Sequence, residues 1–139
     1  MHTIIVGCGR VGAGLAEALS RSGQDVTVID VSAQSFNRLN TDFPGQAVRG
    51  DGTDEDVLRR LGAESADYFF ALTEGDNRNA LAAQIARDSL HVPHVVAKIN
   101  ESKLNRPVII LTMNKLRMKI KPVLIDTSRL HTVKLKLVL

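Results

Sequence analysis

The 139-residue sequence contains a single cysteine, Cys8, no tryptophan and five aromatic residues. A lone cysteine cannot form a disulfide within the chain, which excludes a small disulfide-bonded domain and favours a reducing compartment. No apolar run approaches the roughly 18 residues that cross a bilayer. The apolar start of the chain is interrupted at Gly7, far short of a secretory leader. We therefore expect a cytoplasmic protein that does not insert into a membrane.

Charge and glycine are unevenly distributed along the chain. Residues 1–100 carry nine Lys and Arg against thirteen Asp and Glu, and residues 101–139 carry nine against two, so the net charge of +3 combines −4 and +7. All ten glycines lie between Gly7 and Gly75. We predict one domain over residues 1–100, without nucleic-acid binding, and a basic, glycine-free tail over 101–139. Nucleic-acid binding by the tail is an alternative that deletion of residues 101–139 would test.

Short β-rich runs alternate with helix-like stretches over the first hundred residues. Strands are predicted at 3–6, 25–29, 46–49, 66–72 and 94–99, and helices at 10–22, 33–40, 54–62 and 78–89. The connections are short, and crossovers between parallel strands are right-handed. The alternation therefore predicts an α/β fold: a doubly wound parallel Rossmann sheet of order 3-2-1-4-5, with an atypical C-terminal tail. Such sheets bind ligands beyond the carboxyl ends of their strands.

The tail does not continue this alternation. Lys alternates with apolar residues at 119–121 and 133–137, which predicts strands with one solvent-facing side. Residues 104–118 are also compatible with a helix. The role of the tail is left open.

A glycine motif, Gly7-Cys8-Gly9-Arg10-Val11-Gly12, follows the first predicted strand and opens the first helix. In G-x-G-x-x-G the first glycine allows a tight turn, the second lets the backbone approach a pyrophosphate, and the third lets the helix pack on the strand. Free N–H groups and the positive end of the helix dipole then face the phosphates. The alternative is that these glycines serve packing alone.

Asp30 ends the second predicted strand, 18 residues after Gly12. An acid at this spacing accepts hydrogen bonds from the ribose hydroxyls of an adenine nucleotide. A carboxylate there repels a 2′-phosphate, and residues 31–33 offer no Arg to accommodate one. The sequence thus favours NAD or another adenine nucleotide over NADP. Capping of the following helix is a second role that Asp30 can combine with the first.

Two cations are candidates for phosphate contacts. Arg10 lies inside the glycine motif, where it either neutralises a diphosphate or terminal phosphate or stays in solvent. Lys98 ends the fifth predicted strand and is the only Lys in residues 1–100. It either reaches a bound phosphate or forms a solvated strand end.

The loops after the third and fourth strands add three polar candidates. Asp51 either accepts a hydrogen bond from the adenine amino group or closes a turn between two glycines. Thr73 and Glu74 follow the fourth strand, opposite the glycine motif at the point where strand order reverses.

The sequence gives little support for a catalytic site or a metal-binding site. We interpret Cys8 as a small side chain beside the nucleotide, although a redox sensor is an alternative. His91 and His94 flank Pro93 without metal-ligand spacing. No His, Tyr or Lys is placed with a carboxylate as an acid–base pair. We predict no metal site, no catalytic residue and no enzyme; the alternative is an NAD-dependent oxidoreductase or its cofactor-binding half.

Five motifs stand in register over residues 1–100: IIVGCGRVG at 4–12, VID at 28–30, RGDGTD at 49–54, ALT at 71–73 followed by Asp76 and Asn77, and AKI at 97–99. Together they resemble the RCK/KTN nucleotide-binding domain, also called TrkA-N, of Trk and Ktr potassium uptake regulators. By this resemblance, nucleotide contacts fall on residues 7–11, Asp30, Asp51, Thr73 with Glu74, and position 98, where the family more often has Arg.

The resemblance also implies a function. Members of this family are cytoplasmic, non-enzymatic subunits that bind NAD(H), ADP or ATP, form homodimers that assemble into rings, and gate a membrane potassium transporter or channel subunit at the inner face of the membrane. Residues 101–139 do not resemble the usual continuation of the family, so the tail is a divergent, truncated or foreign segment.

Overall fold

The computed structural model describes the backbone of residues 1–101, 106–113 and 123–124, and the side chains of residues 1–99. Within these residues, seven strands form one sheet in the order β3-β2-β1-β4-β5-β6-β7. The strands are β1 (His2–Val6), β2 (Asp25–Asp30), β3 (Gln46–Arg49), β4 (Tyr68–Ala71), β5 (His94–Glu101), β6 (Arg106–Met113) and β7 (Val123–Leu124). Neighbours among β1–β5 are parallel, so the predicted order 3-2-1-4-5 is confirmed.

The sheet continues beyond β5 with antiparallel strands. β6 pairs with the whole of β5, from His94 opposite Met113 to Glu101 opposite Arg106, and β7 pairs with β6. The helix that residues 104–118 also allow is therefore wrong over 106–113. Pro107 and the β-branched run that follows it favour an extended backbone. The alternating stretches at 119–121 and 133–137 lie outside the described residues.

Helices cover both faces of the sheet. They are α1 (Arg10–Arg21), α2 (Glu55–Arg60) and α3 (Asp76–Gln84), with 3-10 segments at Ala33–Arg38 and Ala63–Ser65 and a π-helical turn at Ile85–Ser89 that continues α3. Asp54 caps α2 as predicted, because its Oδ1 accepts from the N–H groups of Asp56 and Val57 at 2.9 and 3.3 Å. The predicted helices at 10–22, 54–62 and 78–89 are thus present, with shifted ends.

The predicted helix at 33–40 is shorter and tighter than expected. It is a 3-10 segment at Ala33–Arg38, in which Ser35 N–H donates to the Ser32 carbonyl at 3.1 Å. Phe36 and Leu39, three residues apart, pack against the core. Side chains three apart are aligned in a 3-10 helix, so this narrow apolar edge suits that geometry better than an α-helix.

Alternate residues of the central strands pack on opposite faces of the sheet. Ile4 and Phe69 belong to a core cluster with Leu58 and the alanines of α3. Ile5 and Phe70 belong to a second cluster, with Leu15, Ala16 and other residues of α1 and β2. Phe69 and Phe70 are buried and Tyr68 is partly buried, so the aromatic residues of β4 are core residues as expected. Burial on both faces explains the continuous apolar runs in the sequence.

The first turn of α1 packs directly on the turn that follows β1. A Cβ added to Gly12 would lie far inside van der Waals contact with the carbonyl oxygen of Gly7, and 3.6 Å from Cγ2 of Ile5. Gly12 is buried, in agreement with the packing role predicted for the last glycine of the motif. Gly14, two residues further along the same helix, is exposed and has open space around it.

A buried amide connects the loop after β4 to Lys98, within β5. Asn79 of α3 is fully buried. Its Oδ1 accepts from the N–H and the hydroxyl of Thr73 at 2.8 and 2.7 Å, and its Nδ2 donates to the carbonyls of Thr73 and Lys98 at 2.9 and 2.8 Å. These four bonds use the full capacity of a side-chain amide. One side chain therefore fixes the loop after β4 against strand β5.

Gly12→Ala should destabilise the protein by about 1–3 kcal/mol, because the added methyl group forces α1 away from β1. The matched control is Gly14→Ala, which should stabilise by about 0.5–1 kcal/mol through helix propensity. Urea unfolding followed by circular dichroism measures both. Equal effects of the two substitutions would contradict the close approach described above.

Asn79→Ala should lower the free energy of unfolding by about 3 kcal/mol, because it removes four hydrogen bonds and strands buried partners. Asn77→Ala, on the exposed side of the same helix turn, is the control and should have little effect. The comparison uses the same unfolding measurement. A small effect at Asn79 would show that solvent replaces the lost bonds.

Candidate functional site

A cleft of about 800 Å³ opens at the carboxyl ends of the parallel strands. It lies where the strand order reverses, between β1 and β4, which is the usual ligand position in such sheets. The residues predicted from sequence that line it are Gly7, Gly9, Arg10, Val11, Asp30, Asp51, Thr73, Glu74 and Lys98. Cys8 and Gly12 lie behind the wall, where they support the loop. The structure thus brings all the predicted site residues to one place.

The glycine motif forms the floor of the cleft. Gly7 has φ +102°, and a Cβ there would lie 2.8 Å from the backbone nitrogen of Thr73. Gly9 is the N-cap of α1, where no side chain caps the helix and no acidic residue lies in the first turn. A Cβ on Gly9 would meet Glu74 Oε1 at 3.7 Å, so the space above Gly9 is open to the cleft. The free N–H groups of an uncapped helix N-terminus beside open space can bind a phosphate group.

Asp30 connects the end of β2 to the glycine motif. Its Oδ2 accepts from the Cys8 N–H and its Oδ1 from the Ser32 N–H, both at 2.8 Å. A carboxylate has about four acceptor positions, so each oxygen can accept a further hydrogen bond from a ligand. The bond to Ser32, just before the 3-10 segment, matches the second, capping role expected of this residue.

Cys8 is fully buried below the loop. The pKa of the Cys8 thiol is raised to about 11, mainly because the thiol is buried and secondly because Asp30 carries a negative charge nearby. A buried thiol that stays protonated is a poor nucleophile, because the thiolate is the reactive form. The geometry therefore favours the small packing side chain over the redox sensor.

Asp51 follows β3 and lines the half of the cleft formed by β2 and β3. Its Oδ1 accepts from both the hydroxyl and the N–H of Thr53, at 2.7 and 2.8 Å. Both bonds lower the pKa of Asp51, and the bond from the Thr53 hydroxyl has the larger effect. The positive charge of Arg78 lowers this pKa further. Asp51 therefore closes its turn, and its second oxygen is left for a ligand. The two alternatives for this residue are compatible.

Lys98 and Glu74 form an ion pair on the β4–β5 side of the cleft, beside the glycine motif, with Nζ and Oε1 3.2 Å apart. Lys98 is 5% exposed, so it is not a solvated strand end. Glu74, by contrast, extends into solvent with its side chain 86% exposed. A buried lysine needs a nearby anion, and here an exposed surface carboxylate supplies it.

Sequence reasoning missed two cations and one buried polar residue of the site. Arg38, from the 3-10 segment, and Arg78, from the first turn of α3, both line the cleft together with the predicted Arg10. Their approach depends on how those segments turn, which no local pattern reveals. Asn79 carried a usable signal: it shares a helical face with Ala82, Ala83 and Ala86, where a polar residue needs partners.

The three described histidines, His2, His91 and His94, do not line the cleft. His94 stacks on Tyr68 at the amino end of the strands, with ring centroids 4.7 Å apart. Among the described residues, no three His, Cys, Asp or Glu side chains are grouped closely enough to hold a metal ion. The helices described in this chain are also too short or too polar to cross a bilayer.

A family model and the curated relatives of this chain point to the same protein family. The model of the TrkA-N domain matches residues 3–128. The chain is 47% identical over 103 residues to a protein named Trk system potassium uptake protein TrkA from Streptomyces coelicolor, covering 74% of this chain and 46% of that protein. It is 38% identical over 99 residues to the protein of the same name from Halomonas elongata, covering 71% of this chain and 22% of that protein.

Solved structures agree with the fold. The NAD(P)-binding domain of an exopolyphosphatase-related protein from Archaeoglobus fulgidus superposes with a TM-score of 0.62 at 26% identity, covering 73% of this chain and 74% of that one. The chain spans under half the length of the two curated relatives it matches. The family model matches most of the chain, and the chain belongs to the TrkA-N domain family.

Proposed function

We propose that this chain is a nucleotide-binding regulatory domain of a potassium uptake system, acting in the cytoplasm at the inner face of the membrane through a transporter partner. The observation that carries the proposal is the cleft, which joins an uncapped glycine-rich helix start to an acid at the end of β2. Relatives named as potassium uptake proteins support the physiological role.

The ligand is an adenine nucleotide, NAD(H) or ADP/ATP. In this proposal Asp30 accepts hydrogen bonds from the ribose hydroxyls, and the second oxygen of Asp51 accepts from the adenine amino group. The N–H groups at the start of α1 hold the phosphates, and Arg10 neutralises them. NADP is disfavoured because its 2′-phosphate would meet the Asp30 carboxylate.

Regulation follows from a difference in affinity between two conformations. A nucleotide that spans the cleft contacts loops from both halves of the sheet, so it stabilises one relative position of these loops. In this proposal a homodimer, or a ring of dimers, transmits the change in loop position to the transporter. A ligand with equal affinity for both arrangements would regulate nothing. The proposal includes no catalytic step, whereas the alternative, an NAD-dependent oxidoreductase, requires hydride transfer in a single-turnover assay.

Asp30→Ala should weaken binding of NADH and ADP by about tenfold to a hundredfold, because a charged hydrogen-bond acceptor at the ribose is lost. Isothermal titration calorimetry with NAD+, NADH, ADP, ATP and NADP+ measures the effect. Asp25→Ala, an exposed acid at the opposite end of β2, is the matched control and should bind as the wild type does. Tightest binding of NADP+, or no effect of Asp30→Ala, would contradict the site.

Asp30 also accepts a hydrogen bond from the Cys8 N–H, so a loss of nucleotide binding in the variant must be distinguished from a loss of folding. Thermal unfolding of the free variants makes this separation. Asp30→Asn, which keeps a neutral acceptor, should retain more of the fold than Asp30→Ala and still bind nucleotide weakly. Full recovery of affinity in Asp30→Asn would show that the charge is not needed.

A further inference from the structure

The 3-10 segment that follows β2 contributes two polar residues to the cleft. Ser35 and Arg38 both line it, together with Asp30 at the end of β2. Because Ser35 and Arg38 are three residues apart, they share one edge of a 3-10 helix. Phe36 and Leu39, each one residue further along, pack against the core instead. The segment therefore has a core edge and a cleft edge, and the cleft edge carries a hydroxyl and a guanidinium group.

Arg38 and Asp30 act on the same corner of the cleft. The N–H of Ser32, the N-cap of the 3-10 segment, donates to Asp30 Oδ1 at 2.8 Å, so the segment starts at this carboxylate. Burial has the largest effect on the pKa of the Cys8 thiol below the glycine motif, but two charges also act on it: Asp30 raises this pKa and Arg38 lowers it. A negative and a positive group therefore lie beside the same part of the glycine motif.

The two polar groups on the cleft edge have no side-chain partners in residues 1–99. Arg38 is exposed and forms no ion pair there, and the Ser35 hydroxyl forms no hydrogen bond there. The five N–H donors of the guanidinium are thus free for a ligand. A guanidinium can bind two oxygens of one phosphate group at the same time. An anionic group beside Asp30 would find its hydrogen-bond donors here.

A phosphate on the 2′ oxygen of the ribose is the anion that fits this position. In the proposed function Asp30 accepts hydrogen bonds from the ribose hydroxyls, so a 2′-phosphate would lie beside Asp30, where the 3-10 segment begins. Dinucleotide sites of this fold accommodate that phosphate with an arginine near the acidic position. Residues 31–33 include no Arg, but the 3-10 segment brings Arg38 to the same part of the cleft.

We propose that Ser35 and Arg38 form a subsite for the 2′-phosphate of NADP(H). Asp30 repels this phosphate and Arg38 attracts it, so the two residues together set the selectivity between NAD(H) and NADP(H). NADP(H) remains the weaker ligand, but by a smaller factor than the Asp30 carboxylate alone would impose. This inference rests on the proposed function, because it adds a subsite to the same nucleotide cleft.

The test measures the dissociation constants of NAD+ and NADP+, which differ only in the 2′-phosphate, by isothermal titration calorimetry. Arg38→Gln should weaken binding of NADP+ about tenfold, the value of one hydrogen bond to a charged group, and change binding of NAD+ less than about twofold. Ser35→Ala should weaken binding of NADP+ about threefold and leave NAD+ unchanged. Equal losses for both dinucleotides in Arg38→Gln would make Arg38 a general phosphate contact and overturn the subsite.

Asp30→Asn provides a second background in which NADP+ binding is easier to measure. This substitution removes the repulsion and keeps an acceptor for the Cys8 N–H, and thermal unfolding checks that the variant is folded. NADP+ should bind to it at least as tightly as NAD+ does. Adding Arg38→Gln should then weaken NADP+ about tenfold and restore the preference for NAD+. No effect of Arg38→Gln on NADP+ in this background would overturn the subsite.

Arg60→Gln is the matched control. Arg60 is an exposed arginine in the last turn of α2 and does not line the cleft, so its removal changes the net charge equally without touching the site. Both dinucleotides should bind to this variant as they do to the wild type. An equal loss of NADP+ binding in Arg60→Gln and Arg38→Gln would assign the effect to net charge and overturn the subsite.

The outcomes separate the two proposals. An unchanged ratio of NAD+ to NADP+ affinity in Arg38→Gln, with NAD+ still bound, overturns the subsite and leaves the proposed function standing. Binding of ADP but of neither dinucleotide by the wild type has the same consequence. Failure of the wild type to bind NAD+, NADP+ or ADP overturns both proposals.

Discussion

The close approach of three backbone segments at the carboxyl end of β1 is the constraint on which the site depends. The turn at Gly7 touches the backbone of Thr73, the first turn of α1 touches Gly7 at Gly12, and the loop after β3 touches the side chain of Val6 at Gly52. A side chain at any of these glycines would separate the segments. The cleft exists because the chain omits side chains where its loops converge.

Two polar side chains then hold the converging loops in place. Asp30 binds the glycine motif to the end of β2, and Asn79 binds the loop after β4 to Lys98 within β5. Each acts in one half of the sheet, and most of its hydrogen bonds go to backbone groups. The two halves therefore carry separate parts of the cleft wall, which a ligand lying across the switch point would connect. A ligand held in this way would supply the physical basis of the proposed regulation by population shift.

Much of this arrangement could be predicted, because its signals are local. The strand, the glycine motif, the helix and Asp30 follow one another within thirty residues, and this order and spacing together predict a nucleotide site. The burial of Lys98 could not be predicted, since it depends on α3 and β4 packing beside β5. Arg38 was missed because residues 33–38 form a 3-10 segment, which turns side chains differently from an α-helix.

The central claim is that an adenine nucleotide lies across this cleft. The most direct measurement is an amide NMR titration of the chain with NADH, which locates the ligand without any substitution. The account predicts shifts concentrated at residues 7–12, 30–32, 50–53 and 73–75, on both sides of the switch point. Shifts confined to another surface, or to one half of the sheet, would contradict it.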